Sequence, residues 1–201
     1  MNTEPPDLIV TFAIHEAQKS PCSKSQRGAI VYDTRDLVVH GSGFNGPPEP
    51  FRCTGSDACR EHCNKSCLHA EARALQGLAR YQAHYSELVH AKTVQGELVA
   101  GGGPSCWQCS RQILELQLHG VWLFQAQQVR DVDHAGMFPR VTARAGEPGR
   151  WHFYTALEFH QATLRACGVP GADGRGGFYP SGACPVHGAS HAGGAAGHDE
   201  D

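Results

Sequence analysis

Two short segments of this chain carry residues whose types and spacing can do metal chemistry. His69-Ala70-Glu71 is followed further along by Cys106-Trp107-Gln108-Cys109, so that one imidazole, two thiols and one carboxylate stand at fixed offsets. A structural zinc closes its tetrahedron with four protein ligands, whereas a catalytic zinc keeps one position for water. His69, Cys106 and Cys109 are three ligands, and the open position would hold a water whose pKa the metal lowers towards neutrality. Glu71, two residues after the histidine, would lie beside that water without ligating the metal, where a carboxylate can shuttle protons. A Cys-x-x-Cys alone fits half of a structural zinc ribbon or a redox pair equally well. The context favours catalysis. Ala70, Ala72, Ala74, Leu75 and Leu78 continue from His69 as an apolar helical stripe, and Ile113, Leu114, Leu116 and Leu118 do the same after Cys109. Both half-sites therefore open helices, whose N-terminal partial positive charge stabilises thiolates and hydroxide.

A His-x-Glu followed by a Cys-x-x-Cys is the pattern of zinc deaminases, in which activated water attacks the amidine carbon of cytosine or adenine. Upstream, Cys22-Ser23-Lys24-Ser25-Gln26-Arg27-Gly28-Ala29-Ile30-Val31 and Gly43-Phe44-Asn45-Gly46-Pro47-Pro48 precede His69-Ala70-Glu71. In order and spacing these segments resemble the deoxycytidylate (dCMP) deaminase family, over about residues 7–124. The resemblance implies the cytidine deaminase-like fold, an α/β three-layer α/β/α sandwich with a central mixed sheet and zinc held between two helix starts. It implies a cytosine nucleotide as substrate, dCMP converted to dUMP, and a homo-oligomer. It also implies that Asn45 hydrogen-bonds the nucleotide sugar and that Ala70 borders the substrate, although an Asn-Gly pair is by itself an ordinary turn.

The departures from the family are as informative as the matches. Pro104-Ser105-Cys106 carries one residue more than the family's Pro-Cys, after Gly101-Gly102-Gly103. Arg73 stands where the family has Asn, either as a bidentate phosphate ligand or as a solvated helix residue. Arg27 replaces an apolar residue. With Lys24, these are the cations near the expected pocket.

The chain has nine cysteines, which in a cytosolic chain point to metal rather than disulfides. Cys53, Cys59, Cys63 and Cys67 form a dense run in a segment with little apolar content, and such a loop needs a metal to fold. Some phage-type members of the family carry a structural zinc whose ligand positions correspond here to Cys22, Cys53, Cys59 and Cys63. Cys67 is then the alternative fourth ligand or a small buried hydrophobe, and His62 a weaker candidate.

At 201 residues and 40% hydrophobic content, the chain suits one enzyme domain with a tail: residues 1–170 as the zinc-dependent deaminase domain and 171–201 as a disordered Gly, Ala and His-rich tail. Cys184, His187, His191 and His198 in that tail are either adventitious metal binders or none. No run of eighteen apolar residues and no basic-then-apolar N-terminus is present, so the expectation is a cytoplasmic protein without membrane contact. A net charge of −3 offers no broad cationic footprint for nucleic acid. The other reading, a deaminase acting on cytosine or adenine in single-stranded DNA or RNA, would use Trp107 to stack a base; the same Trp suits core packing.

The elements expected to position these residues are a helix over 7–20, a hairpin of strands 29–32 and 37–40, and a helix over 69–81. A strand over 93–99, a helix over 106–118 and a parallel strand over 121–124 follow. Residues 125–149 read as loop, 151–167 as a helix with Phe153, Tyr154, Leu157, Leu164 and Ala166 spaced for burial, and a fifth strand after Val169 is left open by Pro170 and Gly171.

Overall fold

The computed structural model describes residues 3–22, 25–54, 56, 67–101, 106–126 and 149–166. Helix α1 spans Asp7–Gln18, and strands β1 Gln26–Asp33 and β2 Val39–Phe44 form the expected hairpin with longer arms. Helices α2 Ala70–Ala74 and α3 Arg80–Ala83 lead into strand β3 Ser86–Val94 and the short β4 Glu97–Leu98. Helix α4 Trp107–Leu116, strands β5 Gly120–Ala126 and β6 Gly149–Thr155, and helix α5 Ala156–Ala166 complete the order of the described elements.

The strands make one mixed sheet in the order β2-β1-β3-β5-β6, with β4 paired to β3. The β3–β5 pair is parallel and the others are antiparallel. The parallel pair flanks α4, as a crossover connection requires. Alternation along the strands sends Ile30, Tyr32, Val89, Ala91 and Trp122 to one face, where Ile9 and Ala13 of α1 cover them. Ala29, Val31, Leu88, Val121 and Leu123 point to the other face, beneath Ala70 and Ala74 of α2, Ile113 of α4 and Phe159 and Ala162 of α5. Helices on both faces of a mixed sheet are the three-layer α/β/α sandwich that the resemblance implies.

Three expected elements lie elsewhere. The strand expected over 93–99 is instead the end of β3, a tight turn at Gln95 and Gly96 with φ of 53° and 86°, and β4. Positive φ at both central residues is the hairpin turn that matches strand twist. The strand itself runs over Ser86–Val94. The helix expected over 69–81 is two short pieces, separated where Gly77 takes φ 79°. Residues 151–155 belong to β6, and α5 begins at Ala156. In β6 Phe153 and Tyr154 face opposite sides, and in α5 Leu157 is exposed while Phe159, Ala162 and Thr163 are buried. Among the described residues β6 is the last strand and α5 the last helix, and the segment after Val169, where a further strand was left open, lies outside them. The expected tail and most of the 125–149 segment lie outside the described residues.

Two glycines on β2 set how closely α2 approaches the sheet. A Cβ on Gly41 would lie 2.0 Å from the Ala74 carbonyl oxygen, and one on Gly43 would lie 2.5 Å from the Ala70 carbonyl oxygen and from Arg73 Cβ. The helix that carries Glu71 rests directly on strand backbone.

Candidate functional site

His69 is the residue from which α2 starts, with extended backbone (φ −79°, ψ 154°), and Cys106 plays the same part for α4. The chain entering α2 is pinned by a two-way backbone pairing of Leu68 with Gly46, at 2.9 and 3.1 Å. At the start of α4 the Cys109 amide donates to Cys106 Sγ at 3.5 Å, so the thiol takes the place of the side-chain oxygen usual at a helix cap. The two helix starts face each other. Cys109 Sγ lies 3.5 Å from His69 Nδ1, and one ligand atom each from His69, Cys106 and Cys109 falls within 4.8 Å of the others. A tetrahedral zinc with bonds of about 2.3 Å to sulfur and about 2.0 Å to nitrogen places such atoms roughly 3.5–3.8 Å apart. The donor set is one that zinc takes, and the Cys109–His69 separation matches that spacing.

Hydrogen bonding from Cys109 outweighs burial and holds the Cys106 thiol down at about 5, while the same bond and burial push Cys109 up. His69 is raised, chiefly by its contact with Cys106. Thiolate and neutral imidazole are the ligating forms, so a metal bound here would displace the protons that these groups hold.

Glu71, with its side chain 13% exposed, lies inside the site and outside the ligand cluster. Burial pushes its carboxyl up, but His90, His69, a backbone hydrogen bond and Arg27 together hold it below its ordinary value. His90 and Arg27 reach the site from the sheet. Arg27 on β1 is paired in register with Lys92 on β3, and His90 with Ala29, so that all three share the face towards α2. Burial lowers both cations' pKa, most strongly opposed in Arg27 by Glu71. The sequence reading missed His90, whose Nε2 is 3.7 Å from Glu71 Oε1. No sequence signal marked it, because the strand that carries it was itself not expected there.

The other expected site residues divide. Asn45 Oδ1 accepts from the Arg27 amide at 2.7 Å and its Nδ2 donates to the Ser25 carbonyl at 2.8 Å. It clamps the start of β1, with one amide hydrogen and one lone pair left for a ligand. Arg73 Nη2 donates to the carbonyls of Pro47 at 3.2 Å and Gly46 at 3.4 Å, and its guanidinium sits over the Phe44 ring at 4.6 Å. Arg73 is thus engaged in holding the turn after β2. Ala70 is buried at the start of α2, beside Gly43. Trp107 opens α4 half-buried. Cys22, Cys53 and Cys67 are half-buried, whereas Lys24, Cys59, Cys63 and His62 lie outside the described residues. Among the described residues, His69, Cys106 and Cys109 form the one group able to hold a metal. No helix among them is long and apolar enough to cross a membrane.

Neither a scan of protein-family models nor a search of curated proteins found a match. Among solved structures the chain is similar to the dCMP deaminase from the cyanophage S-TIM5. The apo form is 26% identical over 57% of this chain and 78% of that one, with a TM-score of 0.40. The complex of that enzyme with dCMP and dUMP is 24% identical over 58% and 80%, with a TM-score of 0.41. Fold and site together define an α/β sandwich with a His/Cys/Cys metal-capable centre beside a carboxylate.

Proposed function

We propose that the chain is a zinc-dependent hydrolytic deaminase of a cytosine nucleotide, converting dCMP to dUMP and ammonia. The observation that carries this reading is the convergence of His69, Cys106 and Cys109 at two helix starts, with Glu71 alongside and outside the ligand set. Zinc held by His69, Cys106 and Cys109 supplies the Lewis acidity that activates water. Glu71 takes a proton from the water whose oxygen bonds to C4 of the ring and delivers it to ring N3. It then carries the second water proton to the exocyclic nitrogen, the C4–N4 bond breaks, and ammonia leaves. The motif run from Cys22 to Glu71 is what favours a cytosine nucleotide, with Asn45 and Ala70 bordering it and Lys24, Arg27 and Arg73 as the cations for its phosphate. A second, structural zinc on Cys22, Cys53, Cys59 and Cys63, with Cys67 as the alternative ligand, belongs to the same proposal.

The test is ammonia release by the zinc-loaded full chain offered dCMP, dCTP, deoxycytidine and single-stranded oligonucleotides. Turnover of dCMP above the others is expected. Turnover of oligonucleotides alone would overturn the nucleotide reading in favour of a polynucleotide deaminase.

A further inference from the structure

Strand β3 lies between β1 and β5, the best-protected position in the sheet. Its residues alternate between faces: Val89 and Ala91 pack towards α1, and Leu88 packs beneath α2 and α4. His90 falls on the second face, with Ala29 and Leu123 as its register partners. Nothing about the strand calls for an imidazole there, since a β-branched apolar residue would suit a central strand better. Its side chain is only 8% exposed, and Nε2 points to Glu71 Oε1 at 3.7 Å with no hydrogen-bond partner among the described residues. Buried polar atoms left without partners are rare and costly, and each calls for a reason.

The reason is on the opposite side of that gap. At 3.7 Å the pair is outside hydrogen-bond range, but catalytic hydrogen bonds that are long before substrate binds tighten in the complex with substrate. We propose that His90 is a positioning residue for the deamination: its Nε2–H donates to Glu71 Oε1 and fixes the carboxylate in the orientation from which it takes and returns the proton. The assignment rests on the role given to Glu71 above. Burial, with Arg27, His69 and Lys92 nearby, keeps the ring neutral against the pull of Glu71, and a neutral ring carries the single N–H this role needs.

Two amide substitutions separate a hydrogen bond from mere filling of space, because a Gln amide nitrogen reaches the place of Nε2 and an Asn amide stops at that of Nδ1. In the zinc-loaded full chain, His90→Asn should lower kcat roughly ten- to a hundredfold, the range for partners of a site's primary residues. KM and zinc content should stay within a few-fold of wild type, and His90→Gln should recover most of the loss. An Asn variant as fast as wild type, or a Gln variant as slow as the Asn one, would overturn the proposal. Independently of variant folding, 15N-histidine NMR of the wild-type chain should show a protonated His90 Nε2 whose resonance moves in Glu71→Gln. An unprotonated Nε2, or one indifferent to that change, would also overturn it. A wild-type chain that releases no ammonia from any cytosine substrate removes the functional reading and this proposal together, whereas an active wild type with indifferent His90 variants removes this proposal alone.

Discussion

Replacing Gly43 by alanine should separate folding from activity. Gly43 is buried on β2, opposite Ala29 of β1, and α2 sits over it. The added Cβ would lie 2.5 Å from the Ala70 carbonyl oxygen, 2.5 Å from Arg73 Cβ and 2.7 Å from the Ala74 amide, where ordinary contact begins at 3.4 Å. Backbone must therefore yield by about 1 Å, and α2 is the element free to give, because β2 is held by its ladder to β1. That helix begins at His69 and contains Glu71. Overfilling a packed site costs about 1–3 kcal/mol, which a domain of this size survives. A misplacement of about 1 Å in a catalytic group costs about 10² in rate. Gly43→Ala should thus remain folded in urea titrations but lose about a hundredfold in kcat/KM for ammonia release, with weaker zinc retention against a chelator. Ser42→Ala, on the exposed side of the same strand, should change neither. Activity and zinc affinity within threefold of wild type in Gly43→Ala would refute the claim that the closeness of α2 to the sheet positions the site.

Three further outcomes are expected. Glu87 accepts from Tyr32 Oη and Trp122 Nε1, each at 2.6 Å, in the core beneath α1; Glu87→Leu strands both donors at about 1–3 kcal/mol each, so chemical unfolding should report a loss of roughly 2–6 kcal/mol, and a loss below about 0.5 kcal/mol would contradict this. His90 is held down at about 4 from 6.5, first by burial, so below pH 6.5 the unfolded chain binds a proton that the folded chain refuses. Stability of the zinc-free chain should fall by up to about 3 kcal/mol between pH 6.5 and 4, and His90→Leu should flatten that slope; equal slopes in the two proteins would refute the assignment. Elemental analysis should find two zinc ions per chain, with Cys106→Ser losing one ion and activity at little cost in melting, and Cys59→Ser lowering the melting transition; one zinc in the wild-type chain would rule out the second site.

The metal-capable cluster was legible because ligand chemistry admits few residue types, and His69, Cys106 and Cys109, with Glu71 beside them, keep their offsets at two helix starts. The stripe of Ala70, Ala74, Leu75 and Leu78 was legible for its burial although the helix breaks after Ala74, since Gly77 ends the helix without moving the apolar side chains off the core. Strand β3 was hidden by its own buried polar residues. Glu87 and His90 interrupt the apolar alternation, one satisfied by Tyr32 and Trp122 and the other facing Glu71, so the pattern breaks where the buried polar groups sit. The run Trp151 to Tyr154 satisfies both a helical and an alternating period, and the aromatic content that favours a strand was outweighed. A boundary signal stood beside it: Thr155 and Glu158 cap each other at the start of α5, with Thr155 N donating to Glu158 Oε2 at 2.9 Å and Glu158 N to Thr155 Oγ1 at 3.3 Å, a Thr-x-x-Glu box. Arg73 was ambiguous in sequence because a guanidinium serves phosphate and carbonyl equally well, and only the turn at Gly46 and Pro47 shows what engages it here.

The central claim is that Glu71 moves protons at a zinc site it does not ligate. The direct measurement is the rate of dCMP deamination and the zinc content of wild type and Glu71→Gln, side by side. The account predicts equal zinc at the catalytic site and a loss of at least about 10² in kcat. A Glu71→Gln chain that keeps its zinc and still releases ammonia within a few-fold of wild type would contradict it.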